Sequence, residues 1–572
     1  MKYSHRRRLG RHTNAMSRRT AIAATLMVCC LCRIAAAQQY DLVIRNGHII
    51  DGTGSPWYGA DIAIQNGRIV KIGMIDPASA AKTIDAHGLT VAPGFIDMLG
   101  QSELTILVNP HLPSKIFQGI TTEITGEGNS VAPTNDRMLA EDQPVFGHYH
   151  ITPDWRSFQD YFKRLETQGM GINLASYVGA TTVRRMVLAN EDRPPTPEEL
   201  AQMQTLVLDA MHQGAMGLST ALQYAPAPYA HTEELIALAS TAASAGGIYA
   251  THMRSEGDDI FTALDETFRI GREAKIPVEI WHLKAAGKPN WGRTPEIVDR
   301  INGARASGLD IAADTYAYTA WSNSFSAFVP PWAHVGGDKA MVARLKDPGQ
   351  RARIRDTMEH DKNWDNEWLE IAGPEGVTIS STVDPKLQPL QGKSIAEIAK
   401  MQGKDPIDCI LDLIAADPAM DVVVSGMSEA DVAYVLKQPW VSIDNDSAGA
   451  SVDGILGQEH PHPRGYGTFP RILRKYVRED HLLTLPDAIR KFSALPAQRM
   501  HLADRGVLKA GMWADIVIFD PDTIRDLATY ENPNQLSVGM RFVLVNGIPV
   551  ISEGKMTQAL PGKVLRGPGY VQ

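Results

Sequence analysis

From Tyr40 onward, apolar and polar residues alternate in short runs: "YDLVIRNGHIIDGTG", "ADIAIQNGRIVKIG" and "TIDAHGLTVAPGFID". Period-two alternation predicts strands with one buried face, and the Asn-Gly pairs at 46–47 and 66–67 predict hairpin turns between them. The same texture returns near the other end in "WADIVIFD" and "RFVLVNGIPVISEGK". Two such flanks pair most simply into one small β-domain, with residues 38–92 from one end and 501–572 from the other.

Between the flanks the pattern changes. Apolar, β-rich runs alternate with helix-length segments: "VAPGFIDML", "GITTEITGE", "INLASYVGA", "AMGLSTAL", "GIYATHMR", "PVEIWHLK", "LDIAADTYAY" and "WVSIDNDS". Such alternation marks an α/β chain with parallel strands. Eight runs fit a (β/α)8 TIM-like barrel over residues 93–500, with its chemistry at the carboxyl ends of the strands. Helix signals agree, as in "TPEELAQMQTLVLDAMHQG", where Thr196 is the expected N-cap and Gly214 follows the last turn. Between the seventh and eighth runs, residues 320–430 are rich in Trp, Pro and charge, and they read as an insertion over the barrel mouth.

Composition narrows the class. At 572 residues, 44% hydrophobic and 21% charged, the chain has ordinary globular composition. A net charge of −9 offers no basic field for phosphates, so nucleic acid is not an expected partner. The start is different: "HRRRLGRH", Arg18 and Arg19, the apolar run "AIAATLMVCCLC", then "AAA" before Gln38. That order predicts a signal peptide over residues 1–37, exported by the general or the twin-arginine route, and a periplasmic or secreted mature chain. Cleavage there removes Cys29, Cys30 and Cys32, leaving Cys409 without a disulfide partner. No later run reaches the roughly 20 apolar residues of a membrane helix, so no membrane association is expected after cleavage.

Candidate chemistry sits where the runs end. The fifth ends in His252, the sixth in His282 followed by Lys284, and the eighth in Asp446. Two imidazoles and a carboxylate from three strands of one barrel suit a Zn2+ site with a general base. A lone His in an apolar strand is more often a hydrogen-bonded core residue, but two at the terminal position of consecutive strands point to a shared task. Glu127 in "TGEGNS" lies at the same rim, either as a ligand brought close by its flanking glycines or as a solvated acid in a turn.

Taken in order, "VAPGFID", "GLSTALQY", "THMR", "WHLK", "GMSEADV", "HPRGYGTFPRIL" and "GVLKAGMWADIVIFDP" resemble the D-aminoacylase (N-acyl-D-amino-acid deacylase) group of the amidohydrolase superfamily. The resemblance implies a barrel carrying a β-sandwich-like small domain, and a zinc-activated water that cleaves the amide bond of N-acyl-D-amino acids. It places Glu127, where the group has Cys, with His252 and His282 as the tight metal site. It makes Asp446 the acid and base, and Tyr224, Lys284 and Arg464 the residues that read the substrate carboxylate. Leu99 and Gln101 stand where the group has H-x-H, which removes the looser metal position and implies one zinc per chain. Two alternatives remain open: another amidohydrolase reaction on a cyclic amide or dipeptide, and a catalytically silent periplasmic binding protein. The expected partner is a small-molecule substrate.

Overall fold

A computed structural model describes residues 39–571, and the expected signal segment, 1–37, lies outside them. The chain opens with β1 (Tyr40–Ile49), β2 (Tyr58–Gln65), β3 (Arg68–Gly73), β4 (Ala80–Asp85) and β5 (Thr90–Pro93). Then follow β6 (Phe95–Asp97), β7 (Ile120–Thr125), β8 (Asn173–Ser176), β9 (Val178–Gly179), β10 (Gly217–Ala221), β11 (Ile248–His252), β12 (Val278–Ile280) and β13 (Ile311–Thr315). An excursion holds β14 (Ala320–Ser324), β15 (Val377–Ser381) and β16 (Asp421–Ser425) before β17 (Val441–Ile443). The chain ends with β18 (Ile516–Phe519), β19 (Met540–Val545), β20 (Ile548–Ser552) and β21 (Lys555–Met556).

Both chain ends build one nine-stranded sheet, ordered β21-β20-β19-β18-β5-β1-β2-β3 with β4 beside β1. Alternation explains its main core: Leu42 and Ile44, Ile62 and Ile64, and Ile516 and Ile518 all point into one apolar cluster. The pair Asn66–Gly67 joins β2 to β3 with φ of +52° and +74°, both left-handed as a tight hairpin requires. Asn46–Gly47 does not form the expected turn. Asn46 has a φ of +54°, and the register against β2 shifts between Ile44 and Gly47, so the pair is a bulge inside β1. Asp61 accepts from the Asn46 peptide N–H at 3.0 Å, and Asp85 accepts from its side-chain amide, which holds the kink without breaking the strand.

The eight runs of the middle region each contain parallel strand, arranged as β6-β7-β8 and as β9-β10-β11-β12-β13-β17. Only Tyr177 separates β8 from β9, so the run 173–179 belongs to both sheets. The outer edges are linked too: Met98 N donates to Ile443 O at 3.3 Å and Asp446 N to Leu99 O at 2.9 Å. The helix Pro197–His212 starts on a Thr196 and Glu199 capping box, and Gly214 follows it with a φ of +111°. The excursion's strands form a separate antiparallel sheet, β14-β16-β15.

One buried cation ties this region together. Lys115, with no exposed surface, donates to Asp97 Oδ2 at 2.8 Å, Asn445 Oδ1 at 2.7 Å and Ser447 O at 2.7 Å, and Glu123 Oε1 lies 3.4 Å away. Its partners come from β6, from β7 and from the segment after β17. Removing one member of such a buried set leaves uncompensated charge. Lys115→Ala is therefore expected to lower unfolding free energy by about 3–5 kcal/mol in a denaturant titration. A loss below about 1 kcal/mol would show that the ammonium is not what joins these strands.

Candidate functional site

The carboxyl ends of the parallel strands open onto a cavity of about 460 Å³. Glu127 reaches it from the loop after β7, between Gly126 and Gly128, whose φ values are +97° and +59°. A Cβ on either glycine would fall 2.6 Å from backbone, of Tyr177 and Ala221 respectively, so only glycine lets this loop press against Tyr177 on one side and β10 on the other. His252 is the last residue of β11. His282 lies two residues past β12 with a φ of +36°, and its peptide N–H donates to Asp314 Oδ1 at 2.5 Å. Asp446 also has a left-handed φ, +43°. Each such conformation costs about 1–3 kcal/mol and persists only where neighbours enforce it.

Three of these side chains meet. Glu127 Oε1 lies 3.3 Å from His282 Nε2 and 3.4 Å from His252 Nδ1, and the two ring nitrogens are 3.1 Å apart. Ligand atoms at about 2.0–2.2 Å from a tetrahedral zinc lie about 3.3–3.6 Å from one another. The observed edges fall within a few tenths of an ångström of that spacing. The outer face of each ring is also set. His252 Nε2 lies 3.0 Å from Gln223 Oε1 and His282 Nδ1 lies 2.9 Å from Glu256 Oε1. The Gln223 acceptor favours a proton on the outer nitrogen of His252, while the outer nitrogen of His282 faces both Glu256 and the Lys284 ammonium, whose Nζ lies 2.8 Å away. One carboxylate oxygen and two imidazole nitrogens this close together form a donor set that fits a divalent cation, which would displace the imidazoles' inward protons on binding.

Charge at this point favours a cation. Burial and Lys284 push the His282 imidazole down, but Glu256, Asp446 and Glu127 outweigh them and bring it up to about 10. Burial would raise the Glu127 carboxyl, yet the two imidazoles hold it well below its ordinary range. Lys284 Nζ donates to Glu256 Oε2 at 2.5 Å, which gives that carboxylate a fixed counter-ion.

Around the three lie the other residues singled out from the sequence. Tyr224, Lys284, Arg464 and Asp446 all line the cavity. The Tyr224 ring is centred 5.0 Å from that of His252. Arg464 NH1 lies 2.7 Å from Asp446 Oδ2, close enough for an ion pair but poorly aligned for a hydrogen bond, and its Nε has no partner among the described residues. Tyr316 lies under the guanidinium at 4.6 Å, and His462 Nδ1 accepts from the Arg464 peptide N–H at 2.9 Å. Asp446 is thus held rather than free. Burial nonetheless outweighs the attraction of Arg464 and raises its carboxyl above the usual range.

The two substituted positions have different fates. Leu99 is buried in an apolar cluster with Ile124, Tyr177 and Trp281. Gln101 donates its side-chain amide to Glu127 Oε2 at 2.8 Å and to Asp446 Oδ1 at 3.1 Å, bridging the two carboxylates. Glu103, two residues beyond Gln101, accepts from Gly126 N at 2.6 Å and lies outside the Glu127, His252 and His282 group. Sequence reasoning missed Gln223 and Glu256. Glu256 had a faint signal, four residues after His252 in "THMRSEG"; Gln223 had none.

Comparison with known proteins identifies the family. Residues 82–551 match the amidohydrolase family model. The chain is 36% identical to a D-aminoacylase of Alcaligenes xylosoxydans xylosoxydans, over 92% of this chain and 98% of that protein. It is 33% identical to an N-acyl-D-glutamate deacylase of the same organism, over 92% and 97%. The crystal structure of N-acyl-D-glutamate deacylase from Bordetella bronchiseptica, complexed with zinc and a phosphonate mimic of the tetrahedral intermediate, superposes with a TM-score of 0.78 at 32% identity, covering 92% of this chain and all of that one. A match across this much of the chain, together with the converging Glu127, His252 and His282, leads to one conclusion: the chain belongs to the amidohydrolase family.

Proposed function

We propose that the protein is a zinc-dependent hydrolase that cleaves the amide bond of N-acyl-D-amino acids. The observation that carries this reading is the triangle of donor atoms from Glu127, His252 and His282, with edges of 3.1–3.4 Å. The D-aminoacylase and N-acyl-D-glutamate deacylase relatives support the substrate class. When bound, zinc acts as a Lewis acid that polarises an acyl oxygen and brings the pKa of water toward about 7.

The chain's own residues supply the rest. Asp446, raised by burial, accepts the proton of the attacking water and returns it to the leaving nitrogen. Arg464, Lys284 and Tyr224, which line the cavity together, would receive the substrate carboxylate. Fixing the α-carboxylate at one end and the amide at the other leaves only one face of Cα able to point its side chain into the remaining space, which selects one hand. Gln101 bridges Glu127 and Asp446 by donating to both, where a second cation would otherwise sit.

We also infer that the parallel strands close as a (β/α)8 barrel over residues 93–500. The hydrogen bonds between their outer edges and the shared run 173–179 support this. A small β-sandwich from residues 38–92 and 501–572 is supported by apolar clusters on both faces of the nine-stranded sheet. The basic, apolar and small-residue order of residues 1–37 supports export to the periplasm or beyond. Among the described residues no helix is long and apolar enough to cross a membrane.

Two measurements test the catalytic reading. Zinc-replete protein is expected to hydrolyse N-acetyl-D-amino acids at least about tenfold faster than their L partners, to lose activity to a chelator and to regain it with zinc. No turnover of any N-acyl-D-amino acid would refute it. Asp446→Asn is expected to keep its zinc while kcat falls by about 10²–10⁴. A variant that hydrolyses normally would remove Asp446 from proton transfer.

A further inference from the structure

The excursion between β13 and β17 brings Asp365, Glu367 and Glu370 to the same cavity. Glu367 is fully buried. One of its oxygens accepts from Gln223 Nε2 at 2.9 Å and from Asn323, and the other has no partner among the described residues. Glu370 is 6% exposed, and its carboxylate has neither a hydrogen bond nor an ion pair among the described residues. Room is kept for it by glycine: a Cβ on Gly257 would fall 1.7 Å from Glu370 Oε1. Asp365 has only neutral donors among the described residues, Ser255 Oγ at 2.6 Å and the Glu256 backbone.

Among the described residues, no lysine or arginine is paired with these acids. Lys284 and Arg464 are the lysine and arginine that line it, and each already faces a carboxylate, Glu256 and Asp446. Burial above all, with repulsion from neighbouring carboxylates, pushes Asp365 up to about 6, Glu367 up to about 8 and Glu370 well above the usual range. Buried carboxylates without partners are costly, and a set of them facing a cavity is explained when the occupant brings the missing charge. Trp321 and Trp364 line the same space, and indole faces also favour cations.

We propose that Asp365, Glu367 and Glu370 form a subsite for a cationic group of the substrate, an ammonium or a guanidinium. This rests on the amide-hydrolase reading above and narrows it. The charge has two sources: the side chain of the released D-amino acid, as in D-lysine, or a free amino group on the acyl part. Gln223 links the subsite to the metal ligands, since its amide reaches Glu367 on one side and His252 on the other. The cationic group would therefore sit beside the zinc site rather than at a remote surface.

The test compares kcat/KM of zinc-replete enzyme for Nα-acetyl-D-lysine, N-acetyl-D-leucine, N-acetyl-D-glutamate and glycyl-D-leucine. One cationic substrate is expected to be preferred over the neutral and acidic ones by about tenfold to a hundredfold, the worth of a hydrogen bond to a charged group. Preference for the lysine derivative assigns the charge to the side chain, and preference for the glycyl compound assigns it to the acyl part. Glu370→Gln should cut that preference ratio by about tenfold. Equal turnover of all four overturns the subsite while leaving the hydrolase reading intact. Should nothing be hydrolysed, the hydrolase reading fails, and calorimetry decides the subsite separately. Equal affinity for D-lysine and D-norleucine, and for glycyl-D-leucine and N-acetyl-D-leucine, overturns it.

Discussion

A carboxylate oxygen and two imidazole nitrogens, all within 3.4 Å of one another at the wall of the cavity, need positive charge among them, from protons or from a metal ion. That constraint organises the protein. Glu127, His252 and His282 lie far apart in sequence and meet only because parallel strands end at one rim. The backbone bends to complete the meeting: glycines flank Glu127, and His282 takes a left-handed φ that Asp314 secures through its peptide N–H. Local strain is stored where the donors must be aimed.

Around that point the buried charges are arranged mostly in pairs. Lys284 faces Glu256, Arg464 faces Asp446, and Gln101 spans Glu127 and Asp446 without adding charge. An amide there satisfies two carboxylates by donation. The pairing extends into the scaffold through Lys115, whose contacts to Asn445 and Ser447 hold the chain on both sides of Asp446. Fold stability and catalytic geometry thus share a seam. The unpaired acids Asp365, Glu367 and Glu370 break the pattern, and they do so on the side where the excursion meets the cavity.

Much of this was legible in the sequence because strand periodicity and strand ends carry it. The eight apolar runs, His252 and His282 at their ends and the Thr196 cap follow from local rules that the folded chain obeys. Other features had no local signature. Asn46–Gly47 has turn chemistry but lies inside β1, since pairing with β2 and β4 outweighs the dipeptide's own preference. Gln223 lies one residue before Tyr224 and would pass for a loop amide; only the approach of His252 and Glu367 gives it a role. Glu370 looks like one more charge in a polar excursion, and its isolation from cations appears only in three dimensions.

The most direct test of the central claim is metal content by elemental mass spectrometry after saturation with zinc and removal of the excess. About one zinc per chain is expected, falling toward zero in His282→Ala. Wild-type protein retaining less than about a tenth of an equivalent, or binding two, would contradict a single centre held by Glu127, His252 and His282.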